Sequence, residues 1–241
     1  MQLKKLFLAV LLLPSIAAGA QNINVRAAYN IGGTMPIPLP SSIRGINKFQ
    51  PTASFSVGGD YEQKFGERWG VMGGVRVEHK GMDVNAKVKL YQLTMERGGE
   101  ILSGMFTGNV GTKMSLWMVT IPIQATFQPS PKVRLKLGPA LSYSFQRSFT
   151  GTASEGYLRK GDPTGPKILI GDTDAGSFDF SNDLRPLQVC VLLGADWYIL
   201  KHLGISAEVS YGLMNTFKAD FTTIEQKMSP VYGSIGLCYQ L

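Results

Sequence analysis

Charged residues of both signs recur at alternate positions within stretches that are otherwise small or polar. The basic members are Arg26, Arg76, Arg134 and Lys136, and the acidic members are Asp60, Glu62, Glu78, Asp196 and Glu208. On one enclosed face they could form a path for ions or protons, or a network of ion pairs that fills the space. Because buried charges persist when they are paired, the sequence favours the compensating network.

Histidine and serine offer little further chemistry. The chain has two histidines, of which His79 is the better candidate for a general base and His202 is expected in a short turn. The stretch Glu208-Val-Ser-Tyr-Gly212 only approaches the G-x-S-x-G pattern of a nucleophilic serine. The sequence therefore predicts no catalytic residue, although His79 keeps a lipid-modifying enzyme as a second hypothesis.

Neither the cysteines nor the acidic loop predicts a bound metal or cofactor. Cys190 and Cys238 are expected to point inward from strands two apart, roughly 9 to 10 Å from each other, which is beyond the reach of a disulfide. The carboxylates of 171–183 are close in sequence, but their spacing is not that of an EF-hand and its terminal Glu is missing. We expect two small buried cysteines and a solvated loop.

Composition narrows the class of protein that carries these residues. Of 241 residues, 44% are hydrophobic, 17% are charged and 28 are glycine, and the formal net charge is +7. The charged fraction is below the roughly 25% of soluble domains, and the mature chain lacks the run of about 20 apolar residues that a membrane-spanning helix needs. A helical membrane protein and a disordered chain are excluded. The positive charge is not organised as a basic patch with interleaved aromatics, so no nucleic-acid partner is expected.

Residues 1–20 have the layout of a secretory signal peptide. Lysines at positions 4 and 5 precede an apolar run over 6–13, and the segment ends in Ala-Gly-Ala. Cleavage is expected before Gln21, which leaves 21–241 as a single domain. The apolar run is too short to act as a membrane anchor, since a spanning helix takes about 20 residues.

Eight segments of the mature chain alternate apolar and polar residues with a period of two, which is typical of β-strands. They cover residues 23–31, 53–62, 69–78, 117–127, 133–145, 187–197, 203–213 and 231–241. Each is long enough to cross a bilayer as a tilted strand, which takes roughly 9 to 11 residues. The short connections (66–68, 128–132 and 200–202) alternate with long ones (33–50, 81–112, 147–182 and 215–228), as in outer-membrane barrels with tight periplasmic turns.

The apolar face decides between a membrane barrel and a soluble one, because strands of both kinds alternate. Its aromatic residues gather near strand ends, with Trp69 and Trp197 near short turns and Tyr29 and Trp117 toward long loops. Two aromatic girdles around an aliphatic band are typical of a bilayer. We therefore predict an all-β fold, an eight-stranded antiparallel up-and-down transmembrane β-barrel with long external loops, a filled lumen and periplasmic termini.

Four motifs resemble the PorT-like outer-membrane β-barrel family of Gram-negative bacteria. They are the third strand ending in Lys80-Gly81, Val119-Thr-Ile-Pro-Ile123, Leu137-Gly-Pro-Ala-Leu-Ser-Tyr143 and Tyr211-Gly-Leu-Met-Asn215. The resemblance covers nearly the whole mature chain except the long loops. It implies the same fold and an outer-membrane location, and it implies little about activity.

Two local irregularities are expected within the strands. Pro122 and Pro139 would lie opposite each other across the short turn between their strands, which predicts a bulge or a widened pair there. In the second long connection the apolar positions change from odd to even numbers at Lys80-Gly81, which predicts a bulge at the glycine. The third strand would then continue above the membrane as a hairpin through Leu93.

The long loops carry the functional expectation, because rigid scaffolds commonly place binding residues on loops. We expect a monomeric outer-membrane protein with a structural, adhesion or ligand-binding role and no enzymatic activity. Its expected partners are outer-membrane lipid and lipopolysaccharide, met by loop lysines and arginines, and an unidentified extracellular or periplasmic partner. A lipid-modifying enzyme and an accessory of secretion across the outer membrane are the alternatives.

Overall fold

The computed structural model describes residues 21–50, 52–161, 163–224 and 226–241, so the predicted signal peptide (1–20) lies outside the described residues. The strands are β1 (Gln21–Pro36), β2 (Ile43–Gln50), β3 (Phe55–Phe65), β4 (Trp69–Arg97), β5 (Glu100–Ser130), β6 (Val133–Lys160), β7 (Lys167–Ile170), β8 (Gly176–Asp179), β9 (Leu187–Tyr198), β10 (Leu203–Gly212) and β11 (Met228–Gln240). A short 3-10 helix spans Ser181–Asp183. Within the described ranges no helix is long and apolar enough to cross a membrane.

Eight strands form a closed antiparallel ring in the order β1, β3, β4, β5, β6, β9, β10 and β11. The ring closes where β1 pairs with β11, for example Val25 with Tyr239. These are the eight strands that the alternation predicts, so the predicted fold class is confirmed. Short turns at 66–68, 131–132 and 199–202 join neighbouring strands at one end of the ring. The first and last described residues lie at that same end, because Gln21 pairs with Gln63 and Leu203 with Tyr239.

Three strands continue far beyond the other end of the ring. β4, β5 and β6 are 29, 31 and 28 residues long, and β4 turns into β5 through Gly98 and Gly99, which both have the positive φ that a two-residue hairpin turn requires. β2 pairs with β4, β7 with β6, and β8 with both β4 and β6. We call this upper part the head, defined as the described residues of 36–50, 82–114, 149–184 and 214–228. The predicted long connections 81–112 and 147–182 are thus ordered mainly as β-structure, and the predicted hairpin through Leu93 extends to Arg97.

The predicted bulge at Gly81 is wrong. β4 pairs with β5 in one register from Trp69, opposite Phe127, to Val88, opposite Gly108, and the first shift follows Val88. Even-numbered residues of β4 therefore point inward both below Gly81 and above it as far as Val88. The apolar positions change from odd to even because the chemistry of the inward face changes, not because the backbone inserts a residue.

The predicted opposition of the two prolines is also wrong. Pro122 pairs with Ala140, and pairing resumes at Ala125 with no shift of register, so no residue is inserted beside Pro122. The ladder shifts instead between Phe127 and Ser130, next to the short turn. That shift moves Pro122 one residue away from Pro139.

Candidate functional site

The charged residues singled out in the sequence all point into the ring and are buried, between 0 and 7% exposed. Lys80, at 8% exposed, joins them. Five cationic and five carboxylate side chains are therefore buried in the described part of the ring. Their burial confirms the inward placement that the alternation predicts, and the two signs of charge are equal in number.

Arg134 organises the end of the lumen nearest the short turns. Its guanidinium donates to Glu62 Oε2 at 2.6 Å, to Asp196 Oδ2 at 3.0 Å and to Asn24 Oδ1 at 2.9 Å. It also lies over the ring of Tyr198, 5.2 Å from the centroid, and donates to that hydroxyl. One cation thus holds groups from several strands, which fills this level of the ring.

The next level repeats the pattern with two ion pairs. Lys136 Nζ lies 2.5 Å from Asp196 Oδ1, and Arg26 Nε lies 2.6 Å from Asp60 Oδ2. Lys136 also donates to the Ser206 hydroxyl at 3.2 Å. Asp196 therefore bridges this level to the one below, because its second oxygen accepts from Arg134.

The upper level of charges ends at Lys80. Arg76 Nη1 lies 2.6 Å from Glu208 Oε1, and Lys80 Nζ lies 3.2 Å from Glu78 Oε2. Thr120 donates to the same Glu78 oxygen at 2.6 Å. Two spaces, one between these side chains and one beside Lys80 and Met118, measure about 10 Å³ each, close to what one water requires. The lumen is filled by its own ion pairs, as the compensating network predicts.

From the level of Glu78 and Lys80 upward the inward side chains become apolar, since Met118 pairs with Glu78 and Leu116 with Lys80. Met82, Met114, Leu116, Met118 and Tyr232 are 1 to 4% exposed. They belong to one continuous apolar cluster that extends to the top of the head and includes Phe106, Phe149 and Leu158. The polar lumen is therefore closed from above by a packed hydrophobic core.

Five phenylalanines from the long connections form part of that core. They are Phe149, Phe178, Phe180, Phe217 and Phe221, with neighbouring ring centroids 4.6 to 6.3 Å apart. The described residues of 215–227 form a loop, as predicted, and contribute two of them. Sequence reasoning missed this cluster, although phenylalanines spaced along supposedly solvated loops were a signal for it.

His79 lies on the outward face of β4 and contacts a serine. Its Nε2 is 3.0 Å from the Ser115 hydroxyl, and its Nδ1 is 2.7 Å from the carbonyl oxygen of Ala53. Because a carbonyl only accepts, Nδ1 carries the proton and Nε2 accepts from Ser115. The ring also packs against Phe55 and Trp117, with centroids 6.0 and 4.9 Å away. The Ser115 contact escaped the sequence analysis because it depends on the β4–β5 register.

The other residues considered for chemistry are not brought together. Cys190 and Cys238 are free and buried, as predicted. In the acidic loop, Asp174 pairs with Arg97, and this hydrogen bond holds the pKa of the carboxyl below its usual range. Asp179 accepts from the Ser181 backbone at 2.9 Å. Among the described residues no group of three or more His, Cys, Asp or Glu could hold a metal ion.

The head contains two adjoining cavities. One, of about 610 Å³, is open and carries charged residues including Asp83, Glu96 and Lys113. The other, of about 130 Å³, is lined by apolar residues of β1, β2, β4 and β5 and by the phenylalanine cluster. Thr112, Phe178 and Phe180 line both, and so lie between the open groove, which carries charges, and the apolar cavity.

The outer surface of the ring has the pattern of a bilayer-facing surface. Aliphatic residues such as Val75 (50% exposed) and Ile123 (56% exposed) face outward at mid-height. The aromatic pair Trp69 and Phe127 lies near the short turns, with ring centroids 4.6 Å apart. At the other end Phe55 packs edge-on against Trp117 at 5.5 Å. Ten residues of β4 separate the two levels, or roughly 33 Å of strand, which at a tilt of about 40° spans roughly 25 Å, the height of an outer-membrane apolar band.

Comparison with known families agrees with this geometry. The family described as "Outer membrane protein beta-barrel domain" matches residues 18–218, which is most of the chain. The chain belongs to this family. It is a multi-pass β-barrel of the outer membrane. In such barrels the short turns are periplasmic and the long connections extracellular, which places the head outside the cell and both described ends in the periplasm.

Solved structures with similar outer-membrane barrels are remote in sequence. Ail, the attachment invasion locus protein of Yersinia pestis, is 11% identical, with 92% of this chain and 97% of that chain covered and a TM-score of 0.38. Neisserial surface protein A is 12% identical over 93% and 99%, with a TM-score of 0.39. CarO2 of Acinetobacter baumannii is 14% identical over 92% and 100%, with a TM-score of 0.42. No curated protein matches the sequence. Similarity at this level says nothing about function, so the family assignment rests on the sequence match.

Proposed function

We propose that this outer-membrane barrel is a binding protein that acts through its extracellular head and performs no catalysis. The observation that carries the proposal is the contrast between a closed lumen and an ordered head. Five cations and five carboxylates fill the lumen, and a hydrophobic core closes it from above. The upper parts of β4, β5 and β6 extend beyond the ring into the head, and an ordered external structure of this kind supports a contact surface there.

The top of the head exposes apolar side chains that a partner could cover. Ile101 is 78% exposed beside the β4–β5 turn, and Leu169 is 73% exposed on β7. The segments that carry them are neighbours. Arg97 pairs with Glu100, next to Ile101, and its side chain donates to the Leu169 carbonyl at 2.9 Å. The same guanidinium also donates to Asp174, so hydrogen bonds connect the β4–β5 turn to β7 and to the loop that follows it. Two strongly exposed apolar residues on segments joined by a hydrogen bond support a role in protein or ligand contact.

Site-specific cross-linking on intact cells tests the proposal. A photo-cross-linking amino acid at Ile101 should give a discrete covalent adduct with the natural partner, whereas the same group at Leu193, exposed at 60% on the lipid-facing side of β9, should give lipid adducts alone. Planar-bilayer recordings of the full chain should show no conductance steps. Equal adduct patterns from the two positions, or open-channel steps, would overturn the proposal.

Further proposals concern the partners and the subfamily. The loop and head lysines and arginines support contact with the phosphates of lipopolysaccharide and other outer-membrane lipid, and the closed ring supports a monomer. Within the outer-membrane barrel family, the motifs at Lys80-Gly81 and Val119–Ile123 support a place close to the PorT-like members. Native mass spectrometry of the protein with bound lipid checks the contact with outer-membrane lipid and the monomeric state.

One observation favours a second candidate function, a lipid-modifying enzyme. Ser115, His79 and the Ala53 carbonyl form a nucleophile, a base and a group that orients the base. The orienting group is a backbone carbonyl rather than a carboxylate, and the imidazole lies within an aromatic girdle that accounts for its position. Hydrolysis of labelled phospholipid that disappears in both Ser115→Ala and His79→Ala would establish this function in place of the first.

A further inference from the structure

The 130 Å³ cavity in the head is lined without a single charged side chain. Its walls are Ile43, Ile46 and Phe49 of β2, and Val84, Ala86 and Val88 of β4. The remaining lining includes the methionines Met82 and Met228 and the phenylalanines Phe149, Phe178 and Phe180. A cavity of this lining excludes ions and holds water poorly, because a buried water needs polar partners.

The few polar groups at the cavity are neutral. Tyr91 is the largest of them, and burial raises the pKa of its phenol to about 12. The other hydroxyls belong to Thr34 and Thr112. The phenol therefore stays uncharged at physiological pH, so the cavity offers dispersion and hydrophobic contact with at most a weak hydrogen bond.

Size limits the occupant. An apolar protein cavity of about 150 Å³ takes benzene or xenon and stays dry when empty. At about 130 Å³, this cavity holds a molecule or group of about six carbon atoms. Methionines at Met35, Met82 and Met228 adapt their shape readily, which suits apolar ligands of differing outline.

The mouth of the cavity is apolar as well. Met35, Leu39, Ile46 and Phe49 line the cavity and are 38 to 57% exposed, so they form its rim on the side of β2. Outward-facing apolar residues of β1 continue from the lipid-facing band at Ile31, 49% exposed, to Met35 at this rim. An apolar molecule dissolved in the outer leaflet thus meets apolar surface along its way to the cavity.

We propose that this cavity is a binding site for a small uncharged hydrocarbon molecule of about the size of benzene, which enters beside β2. The inference deepens the proposed function, on which it rests for its biological role, by giving the head a ligand site and a ligand class. The cavity lies inside the head and is distinct from the exposed tip around Ile101.

Methionine methyl signals report on the site directly. The full chain in lipid nanodiscs, labelled with ¹³C at the methionine methyl groups, is titrated with benzene. Met82 and Met228 line the cavity, whereas Met72 is buried in the lumen at 1% exposed. We expect saturable shifts of the Met82 and Met228 signals and none at Met72.

A filled-cavity variant provides the control. Ala86→Phe puts a ring into the cavity from β4 and should reduce the benzene-induced shifts at least tenfold, and Ala125→Phe, on the lipid-facing side of β5, should leave them unchanged. Linear, non-saturating shifts at all methionines would show partition into the bilayer and overturn the inference. Insensitivity of Met82 and Met228 to benzene, as expected if a lipid acyl chain filled the cavity, would overturn it too.

The outcome is separable from that of the proposed function. Saturable benzene binding without any cross-linked adduct at Ile101 would support the hydrocarbon site in the cavity and refute the proposed contact of the head with a partner. A discrete adduct at Ile101 without benzene binding would support partner binding through the head and refute the hydrocarbon site.

Discussion

The lower and upper parts of β4 and β5 share one hydrogen-bonded ladder but have opposite interiors. Below Lys80 the inward positions of β4 carry Arg76 and Glu78, and the outward positions carry Val75 and Val77. Above Lys80 the inward positions carry apolar residues beginning with Met82, and the outward odd positions are Asp83, Asn85, Lys87 and Lys89. The backbone does not change at this boundary, so the change reflects the surroundings of the sheet.

β5 reverses at the corresponding place. Its inward residues are Thr120, Gln124 and Thr126 in the lower part, and they are apolar from Met118, which pairs with Glu78, through Leu116 to Met114. In a membrane-spanning part the apolar face must meet lipid, and the narrow lumen takes the polar face. In a part surrounded by water the apolar face must turn inward to be buried. The position of the reversal therefore marks the surface of the bilayer.

The largest expected effect comes from removing a charge from the polar interior. Arg134→Ala leaves Glu62 and Asp196 without their guanidinium partner, and breaking a buried ion pair in this way costs about 3 to 5 kcal/mol. The free energy of unfolding from lipid bilayers, measured by urea titration, should fall by that amount. Arg134→Lys, which keeps the charge, should lose less. A loss in Arg134→Ala below the experimental error would show that the network does not hold the ring together.

In the apolar interior, the corresponding change is the loss of a large side chain. Phe149 is 2% exposed and contacts Phe217 edge-on at 5.0 Å, so Phe149→Ala should cost about 3 kcal/mol or more. The loss should be confined to the head, because Phe149 belongs to the apolar cluster of the head and lines its cavity. Hydrogen exchange should accelerate at head amides and stay unchanged in β9 and β10. Equal acceleration in both regions would contradict two separate interiors.

Threonine to valine substitutions distinguish the two interiors with one chemical change. Thr120 donates to Glu78 in the lumen, so Thr120→Val should cost about 1 to 3 kcal/mol by leaving a buried carboxylate oxygen short of a donor. Thr112 lines the apolar cavity of the head, and Thr112→Val should be neutral or slightly stabilising. Equal losses in urea titrations of the two variants would contradict the assignment.

The smallest expected effect is a pH dependence of the stability of the head. The folded-state pKa of Tyr91, about 12, lies above its ordinary value of 10.0, so the neutral phenol contributes stability that is complete below pH 10 and is lost as the pH rises toward 12. At pH 11 the loss should be about 1.4 kcal/mol. Tyr91→Phe should remove this part of the alkaline destabilisation, as followed by hydrogen exchange of the head at pH 9 and 11. An unchanged alkaline loss in Tyr91→Phe would show that the phenol is not buried.

Much of the barrel was predictable because period-two alternation depends on local sequence alone. It gave the eight strands, the short turns and the inward positions of residues such as Arg26 and Glu208. The register was less accessible, because a single inserted residue between Phe127 and Ser130, next to the short turn, displaced Pro122 from Pro139. The contact between His79 and Ser115 depends on the same kind of cross-strand register.

The head was the least predictable part. The even-numbered apolar positions after Lys80 were noticed but interpreted as a bulge, because the inward face was assumed to stay polar. The additional strands β2, β7 and β8 are 4 to 8 residues long, too short for alternation to stand out. The phenylalanine cluster joins residues from separate loops, such as Phe178 and Phe221, whose proximity follows from the closed topology.

The reversal of polarity at Lys80 is tested most directly by placing the same charge on the outward face of each part. Val75, 50% exposed on β4, lies at mid-height of the lipid-facing band, and Ile101, 78% exposed on β5, lies at the tip of the head. In bilayers, Val75→Lys should reduce the free energy of unfolding by about 2 to 4 kcal/mol, the cost of lysine near the bilayer midplane, and Ile101→Lys should leave it unchanged. Equal effects of the two substitutions would contradict a bilayer boundary between the ring and the head.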